Sequence, residues 1–415
     1  MLKLNYTIKR NMNTQIPARS KILQFEFVAL MAMLMSLAAL AIDAMLPALP
    51  IIGKELQVLT ANGTQQVIIF LFLGLSLGQL FYGPLSDTFG RKPFIYVGIS
   101  IFIIGCLVSI YAQSFSMMLF GRFLQGLGIS SPRVITMAIV RDQYVGNKMA
   151  KIMSLIMVVF VLVPALAPSL GQAILLVSKW RTIFWFFIFL SSTAMIWFAM
   201  RQKETLSISQ RKSFSFSHFK YATKRIFTTP VAIGYTVASG LVFGAFIGYL
   251  VSSQQIFQDI YKLKDEFPFY FGVLAISIGC ASFLNSKLVE KYGMIKLTYL
   301  ATIGVVINAL IFLIIIANNK GVAPFPIFMI YMILSFGCIG FLFGNFNSLA
   351  MEPLGDIAGS ATAVISTVQN IISLSLGSLI AHSFQNTLYP LSIGFLSLSL
   401  ASLGIIKLVH RFELK

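Results

Sequence analysis

The sequence predicts an all-α polytopic membrane protein of twelve transmembrane helices, and three observations carry that prediction. The 415 residues are 57% hydrophobic and only 11% charged, against about 25% charged in an ordinary soluble domain. The charges cluster, leaving long uncharged runs between them. The longest hydrophilic stretch, 201–227, falls near the middle, with room for six crossings on either side.

A helix needs roughly 20 apolar residues to cross the hydrocarbon core, and each element follows from that length. The first crossing is expected over 25–50, apolar from Phe27 to Pro50 except for Asp43. The uncharged runs 56–86 and 93–121 supply the second and third. The fourth, over 115–140, is interrupted by Arg122 and Arg133. Runs 152–178 and 182–200 supply the fifth and sixth, and 226–258, 267–286, 297–319 and 321–351 the seventh to tenth. The last run, 357–406, is long enough for two, with a polar turn near His382–Thr387. The expected organisation is a tail over 1–24, a six-helix bundle over 25–200, a basic linker over 201–228, a second bundle over 229–410 and a tail over 411–415.

The net charge of +18 is explained by topology rather than by nucleic acid, and no nucleic-acid partner is expected. With both termini cytoplasmic, 23 of the 31 Lys and Arg residues fall inside, six outside and two within the membrane. That bias follows the positive-inside rule and predicts the orientation; an anionic lipid surface would also favour it. The basic N-terminal segment runs into the first apolar stretch without a small-residue cleavage site, so no removable signal is expected. Cys106, Cys280 and Cys338 all fall inside expected helices, which argues against a disulfide framework. His218, His382 and His410 have no ligand spacing. No metal site and no cofactor are expected.

Asp43 is the only carboxylate in the middle of an expected span; the other twelve acidic residues fall in loops, tails or helix ends. An ionised carboxylate in hydrocarbon is unfavourable by at least about 2.5–3.5 kcal/mol on insertion scales. Such a group titrates, pairs or binds something, so Asp43 marks the expected functional cavity.

An internal echo suggests duplication. At an offset of 203, Leu85, Asp87, Phe89 and Gly90 meet Leu288, Glu290, Tyr292 and Gly293, each set in the loop after a half's second helix. The same offset carries Asp43 to Phe246, Arg122 to Phe325 and Arg133 to Phe336. Buried charge is thus confined to the first half. The second is expected to supply a mainly apolar, amide-rich wall.

Three motifs add chemistry. Gly78–Pro93, GQLFYGPLSDTFGRKP, ends the second helix. Gly83 would let helices approach closely, Asp87 would accept from the N-terminal N–H groups of a neighbouring helix, and Arg91 and Lys92 would pair with it or with lipid headgroups. The plain alternative is a charged loop with only a positive-inside role. Leu119–Asp142 carries Arg122, Gln125, Gly126 and Arg133. Arg keeps its charge when buried, so Arg122 needs acceptors, unless it snorkels from the helix end. Arg133 lies eleven residues on, about 20° beyond three full turns and roughly 16 Å along the axis. It therefore either shares the cavity face with Arg122 or snorkels toward the surface near Arg141. Val161–Ile174 carries Pro164, Pro168 and Gly171, which bend a helix and allow a close contact. A kinked packing helix would explain that pattern equally.

These residues resemble the major facilitator superfamily. Gly83, Leu85, Asp87, Gly90, Arg91 and Lys92 match its loop signature, with Thr88 where a base is usual. Arg122, Gln125 and Gly126 match its buried-Arg motif. Pro168 to Gly171 match part of its antiporter motif, with Ala167 and Gln172 in place of two glycines. AIDAMLPALP at 41–50, AIVRDQY at 138–144, PALAPSLG at 164–171 and MEPLGDIAGSATAVISTVQ at 351–369 resemble the bicyclomycin-resistance (Bcr/CflA) branch of drug:proton antiporters. Met45 stands where an aromatic residue is usual. The resemblance spans essentially the whole chain.

It implies a major-facilitator fold of two six-helix bundles rocking about a central site. Asp43 and Arg122 would carry proton coupling. Candidate ligand contacts are Arg133, Tyr249, Gln254, Gln255, Asn345, Asn347, Gln369 and Asn370, although isolated membrane amides often bridge helices, at about 0.6 kcal/mol each. The expected function is proton-coupled export of drugs or other small molecules by antiport, in a bacterial inner membrane, by a monomer whose partners are substrate, protons and lipid. The alternative keeps the fold and moves an organic anion, including by uptake. An enzyme is not expected, since no phosphate-binding loop, His-Glu-x-x-His or carboxylate cluster is present. A passive channel gives no reason for Asp43.

Overall fold

The computed structural model describes residues 21–60, 62–211 and 216–413. Residues 1–20 of the expected N-terminal tail and the end of the C-terminal tail lie outside the described residues. Among those described, twelve helices are long and apolar enough to cross a membrane. They are α1 (Gln24–Glu55), α2 (Gly63–Phe89), α3 (Arg91–Ile110), α4 (Phe115–Gln143), α5 (Lys151–Val177) and α6 (Arg181–Arg201). After the linker come α7 (Pro230–Ile260), α8 (Phe267–Tyr292), α9 (Met294–Asn318), α10 (Phe325–Leu354), α11 (Ala361–His382) and α12 (Tyr389–His410). The turn inside the 357–406 run falls where its polar residues lie.

Each half places its first and fourth helices inside. The apolar windows of α1, α4 and α7 are 78%, 67% and 61% buried, whereas that of α9 is 28% buried. The amino acids follow suit: α4 carries buried Arg, Gln, Ser and Thr and α7 buried Gln, Ser and Thr, while α9 is mostly apolar, with Thr298 and Thr302 buried and Asn308 bonded to α10. In the first half α2 and α3 pack on α4; in the second α8 and α9 pack on α10, and α11 and α12 on α7. The halves meet along α2 with α11 and α5 with α8.

The first helix of each half departs from regular geometry at its far end. In α1 the α-helix ends at Asp43, and a turn and a short 3₁₀ segment (Leu46–Ala48) precede its resumption at Leu49–Glu55. Pro47 and Pro50 remove the donors that would continue the ladder. In α7 the last stretch, Ile256–Ile260, is π-helical. The sequence reading treats both as plain crossings, and α1 runs five residues past the expected Pro50 end.

The loop after α2 shows how the chain turns at the end where the described chain begins and ends. Gly90 adopts φ 107°, and its echo Gly293 adopts φ 79°. L-residues other than glycine rarely occupy that region, so both halves make the same turn with the same residue. Arg91 pairs with Asp87 and, at 2.9 Å, with Asp142 of α4, and donates to Ser86. The expectation that Asp87 caps a helix is corrected: Glu204, from the linker, does so. Its carboxylate accepts from the backbone N–H groups of Arg91 and Lys92 at 3.0 and 2.9 Å, satisfying otherwise unpaired donors at the start of α3. Asp87 lies one turn too early for that and meets Arg91 instead. Burial pushes the Glu204 carboxyl up, but the backbone N–H groups of Leu206, Lys92, Arg91 and Thr205 outweigh it and hold it below the usual carboxylate range.

A carboxyl held low stabilises the fold while ionised and loses that contribution as pH falls through the lowered value. Glu204→Ala is therefore expected to weaken the start of α3 by about 0.5–1 kcal/mol, the lower part of the N-cap range for an exposed group. Hydrogen exchange at the Phe94 and Ile95 amides checks it: the variant should exchange faster than wild type at pH 7, and the difference should shrink on acidification.

Candidate functional site

Asp43 sits where the α-helical part of α1 ends. It is 4% exposed, and its Oδ1 has no hydrogen-bond partner. The break brings α5 unusually close. A Cβ on Gly171 would lie 2.0 Å from the backbone oxygen of Ala44, so only glycine lets α5 pack on the turn beside the acid.

Facing the acid from the second half is Tyr249 of α7. It is fully buried, its hydroxyl has no partner, and it is within electrostatic reach of Asp43. Its ring meets Phe336 edge-on at 5.0 Å and stacks on Phe271 at 6.4 Å; Phe246 lies 5.4 Å from Phe336. A buried hydroxyl and a buried carboxylate oxygen without partners are exceptions to the rule that buried polar groups are paired. Together with the aromatic wall they can receive a proton and a ligand.

Arg122 does not snorkel. It is completely buried and spends its guanidinium on three acceptors: Val67 O at 3.1 Å, Gln125 Oε1 at 2.7 Å and Ala41 O at 2.7 Å. Gln125 in turn donates to Gly105 O and Ser109. The cation thus ties α1, α2, α3 and α4 together, and it reaches the backbone two residues before Asp43 rather than the carboxylate. Gly126 belongs to the same joint, since a Cβ there would lie 1.9 Å from Leu71 O on α2. The close approach expected at Gly83 is absent; a Cβ there would meet only a Val134 methyl at 3.9 Å. The tight glycine contacts lie deeper, where the small residues face each other. Pro164 and Pro168 lie inside the continuous α5 helix.

Arg133 is half-buried and makes no hydrogen bond or ion pair among the described residues. The amides of the second half are more committed. Asn345 exchanges two hydrogen bonds with Asn285 of α8, Gln254 donates to Gln258, and Gln369 donates to Ser239. Asn347 is exposed. Asn370 donates to Gln79 of α2 at 3.1 Å, crossing between the halves.

At the end away from the linker the halves are latched by a polar cluster that sequence reading missed, apart from naming Gln255 as a ligand donor. Asn62 donates to the carbonyls of His382 and Phe384 at 2.8 and 3.1 Å and accepts from Gln255 at 3.0 Å. Gln65 donates to Gln255. Every hydrogen-bonding atom of the Asn62 amide group is used. A double Asn62→Ala, Gln255→Ala variant should weaken this closure by about 1–2 kcal/mol. In a background lacking the native cysteines, labelling of Ser252→Cys, one turn below Gln255, by a membrane-impermeant thiol reagent should then rise about 5- to 30-fold.

A profile describing the Major Facilitator Superfamily matches residues 31–378. The chain belongs to that superfamily. The "Uncharacterized MFS-type transporter YdgK" of Bacillus subtilis (strain 168) is 31% identical over 356 residues, covering 85% of this chain and 86% of the relative. The "Bicyclomycin resistance protein homolog" of Haemophilus influenzae is 27% identical over 379 residues, covering 88% and 92%. The crystal structure of a D-xylose-proton symporter superposes with a TM-score of 0.71 at 14% identity, covering 92% of this chain and 97% of that one; it shows the shared fold. The chain is a multi-pass membrane transporter of major-facilitator fold, resembling the Bcr/CflA branch.

Proposed function

We propose that this transporter exports drugs or other small organic molecules from the bacterial cytoplasm in exchange for protons. The supporting observation is the mid-membrane carboxylate of Asp43, unpartnered at Oδ1 and within electrostatic reach of the partnerless hydroxyl of Tyr249 from the second bundle. The name of the bicyclomycin-resistance relative supports export of drugs. The Lys and Arg bias supports placing the linker end in the cytoplasm, and the polar latch is then periplasmic, so the described conformation is closed to the outside.

In this cycle Asp43 takes up a proton from the periplasmic side and releases it to the cytoplasm as substrate enters. Proton and substrate compete for one cavity, which makes the exchange antiport. Arg122 acts through structure, holding the backbone that presents Asp43. The bundles rock by breaking the Asn62–Gln255 latch. A substrate screen in inverted vesicles, with proton flux read in the same sample, tests the proposal. Substrate-dependent proton release supports it, and substrate flux without proton movement refutes it.

A further inference from the structure

We infer that Arg133 is a binding site for the anionic group of a transported molecule, a carboxylate or similar oxyanion, so that the cavity accepts anionic or zwitterionic organic substrates. The inference rests on the cavity being the transport path and names a substrate class for it.

The first support is direction. On α4, Gly126, Ser130 and Val134 face α2, while Gly121, Gln125, Gly128 and Ser131 face α3. At 100° per residue, Arg133 lies away from the α3 side and within about 20° of Arg122, whose guanidinium reaches α1 and α2. It therefore points inward, not toward the lipid beyond α3.

The second support is the absence of any partner. Arg91, Arg181 and Arg201 each pair with a carboxylate, and Arg122 donates to three oxygen acceptors. Arg133 has neither, although it lies ten residues, roughly 15 Å, before the end of α4. One turn on, Thr136 presents a buried hydroxyl that is also unpartnered. Arg133, Val134 and Met137 are partly exposed while Pro132, Ile135 and Thr136 are buried, so the Arg133 side chain is accessible on the side that Met137 shares. A fixed, unneutralised guanidinium beside a free hydroxyl presents the fork that a carboxylate fits bidentately. A lipophilic cation would be repelled from that level and held near Asp43 instead.

The test uses purified full-length protein in phosphatidylcholine nanodiscs and three matched probes: 4-phenylbutyrate, its neutral amide and its trimethylammonium analogue. Wild type should bind phenylbutyrate at least about tenfold more tightly than the amide. Arg133→Gln should erase that preference with amide affinity unchanged, and Arg133→Lys should keep part of it. No preference in wild type, or equal weakening of all three probes in Arg133→Gln, overturns the inference. If Arg133→Gln does not fold, thiol labelling of Met137→Cys in a background lacking the native cysteines decides: phenylbutyrate should slow it and the amide should not, and equal rates overturn the inference. Neither measurement uses a pH gradient, so its failure leaves proton coupling at Asp43 standing, and failure of coupling leaves this binding result standing.

Discussion

Asp43→Asn should yield a folded transporter in which a pH gradient no longer drives accumulation. The substitution keeps the shape of the side chain. It breaks no ion pair among the described residues, and Oδ1 has no partner to lose. What disappears is the one group in the middle of the membrane that can alternate between charged and neutral. In proteoliposomes with an imposed gradient, the accumulation ratio should fall from well above one to one. Downhill exchange of labelled against unlabelled substrate should continue and lose its dependence on pH. Asp43→Glu should retain coupling at reduced rate, because a further methylene must fit a site only 4% exposed. Unchanged gradient-driven accumulation in Asp43→Asn would falsify the coupling role.

Gly171→Val should be among the most damaging of the packing substitutions. Its Cβ would fall 2.0 Å from the Ala44 oxygen and 2.9 Å from the carbonyl carbon, and backbone cannot rotate aside as a side chain does. Overpacking of this kind typically destabilises by about 1–3 kcal/mol, and the upper end is expected here. The damage also falls on the turn that carries Asp43, so transport should be lost even where protein is recovered. Gly83→Ala is the matched control, since its Cβ meets only a methyl group at 3.9 Å. A lowered thermal midpoint for Gly171→Val beside an unchanged one for Gly83→Ala would separate backbone contact from mere membership of a motif. Equal midpoints would show that α5 shifts to accommodate the side chain.

Much of this architecture is legible in the sequence, because hydrocarbon imposes so few solutions. Uncharged runs about the thickness of a bilayer locate the helices, and the Gly90 and Gly293 echo marks two equivalent turns. Asp43 stands out because its neighbours are oily. Other features depend on partners far away in the chain. Arg122 binds two backbone carbonyls beside Gln125; every residue possesses a carbonyl, so nothing in the sequence marks those two acceptors. Glu204 looks like one more linker charge until the chain folds it back onto α3, 113 residues from Arg91. Asn345 resembles a ligand donor until Asn285 is seen opposite. Pro47 and Pro50 make the break after Asp43 in what the sequence suggests is a plain crossing, and how closely α5 packs on that break depends on Gly171.

The placement of a single mid-membrane carboxylate in the first bundle sets a thermodynamic ceiling on what the proposed exchanger can do. With one acid in the membrane interior and only Phe246 at its echo, each cycle has a single place to carry H⁺. Under one-for-one electroneutral exchange, a difference of one pH unit supplies about 1.36 kcal/mol, enough to hold roughly a tenfold concentration ratio and no more. That limit applies to a monovalent cation; exchange for a neutral substrate moves one net charge inward and for a monoanion two, so the membrane voltage adds about 2.3 kcal/mol per charge for each 100 mV.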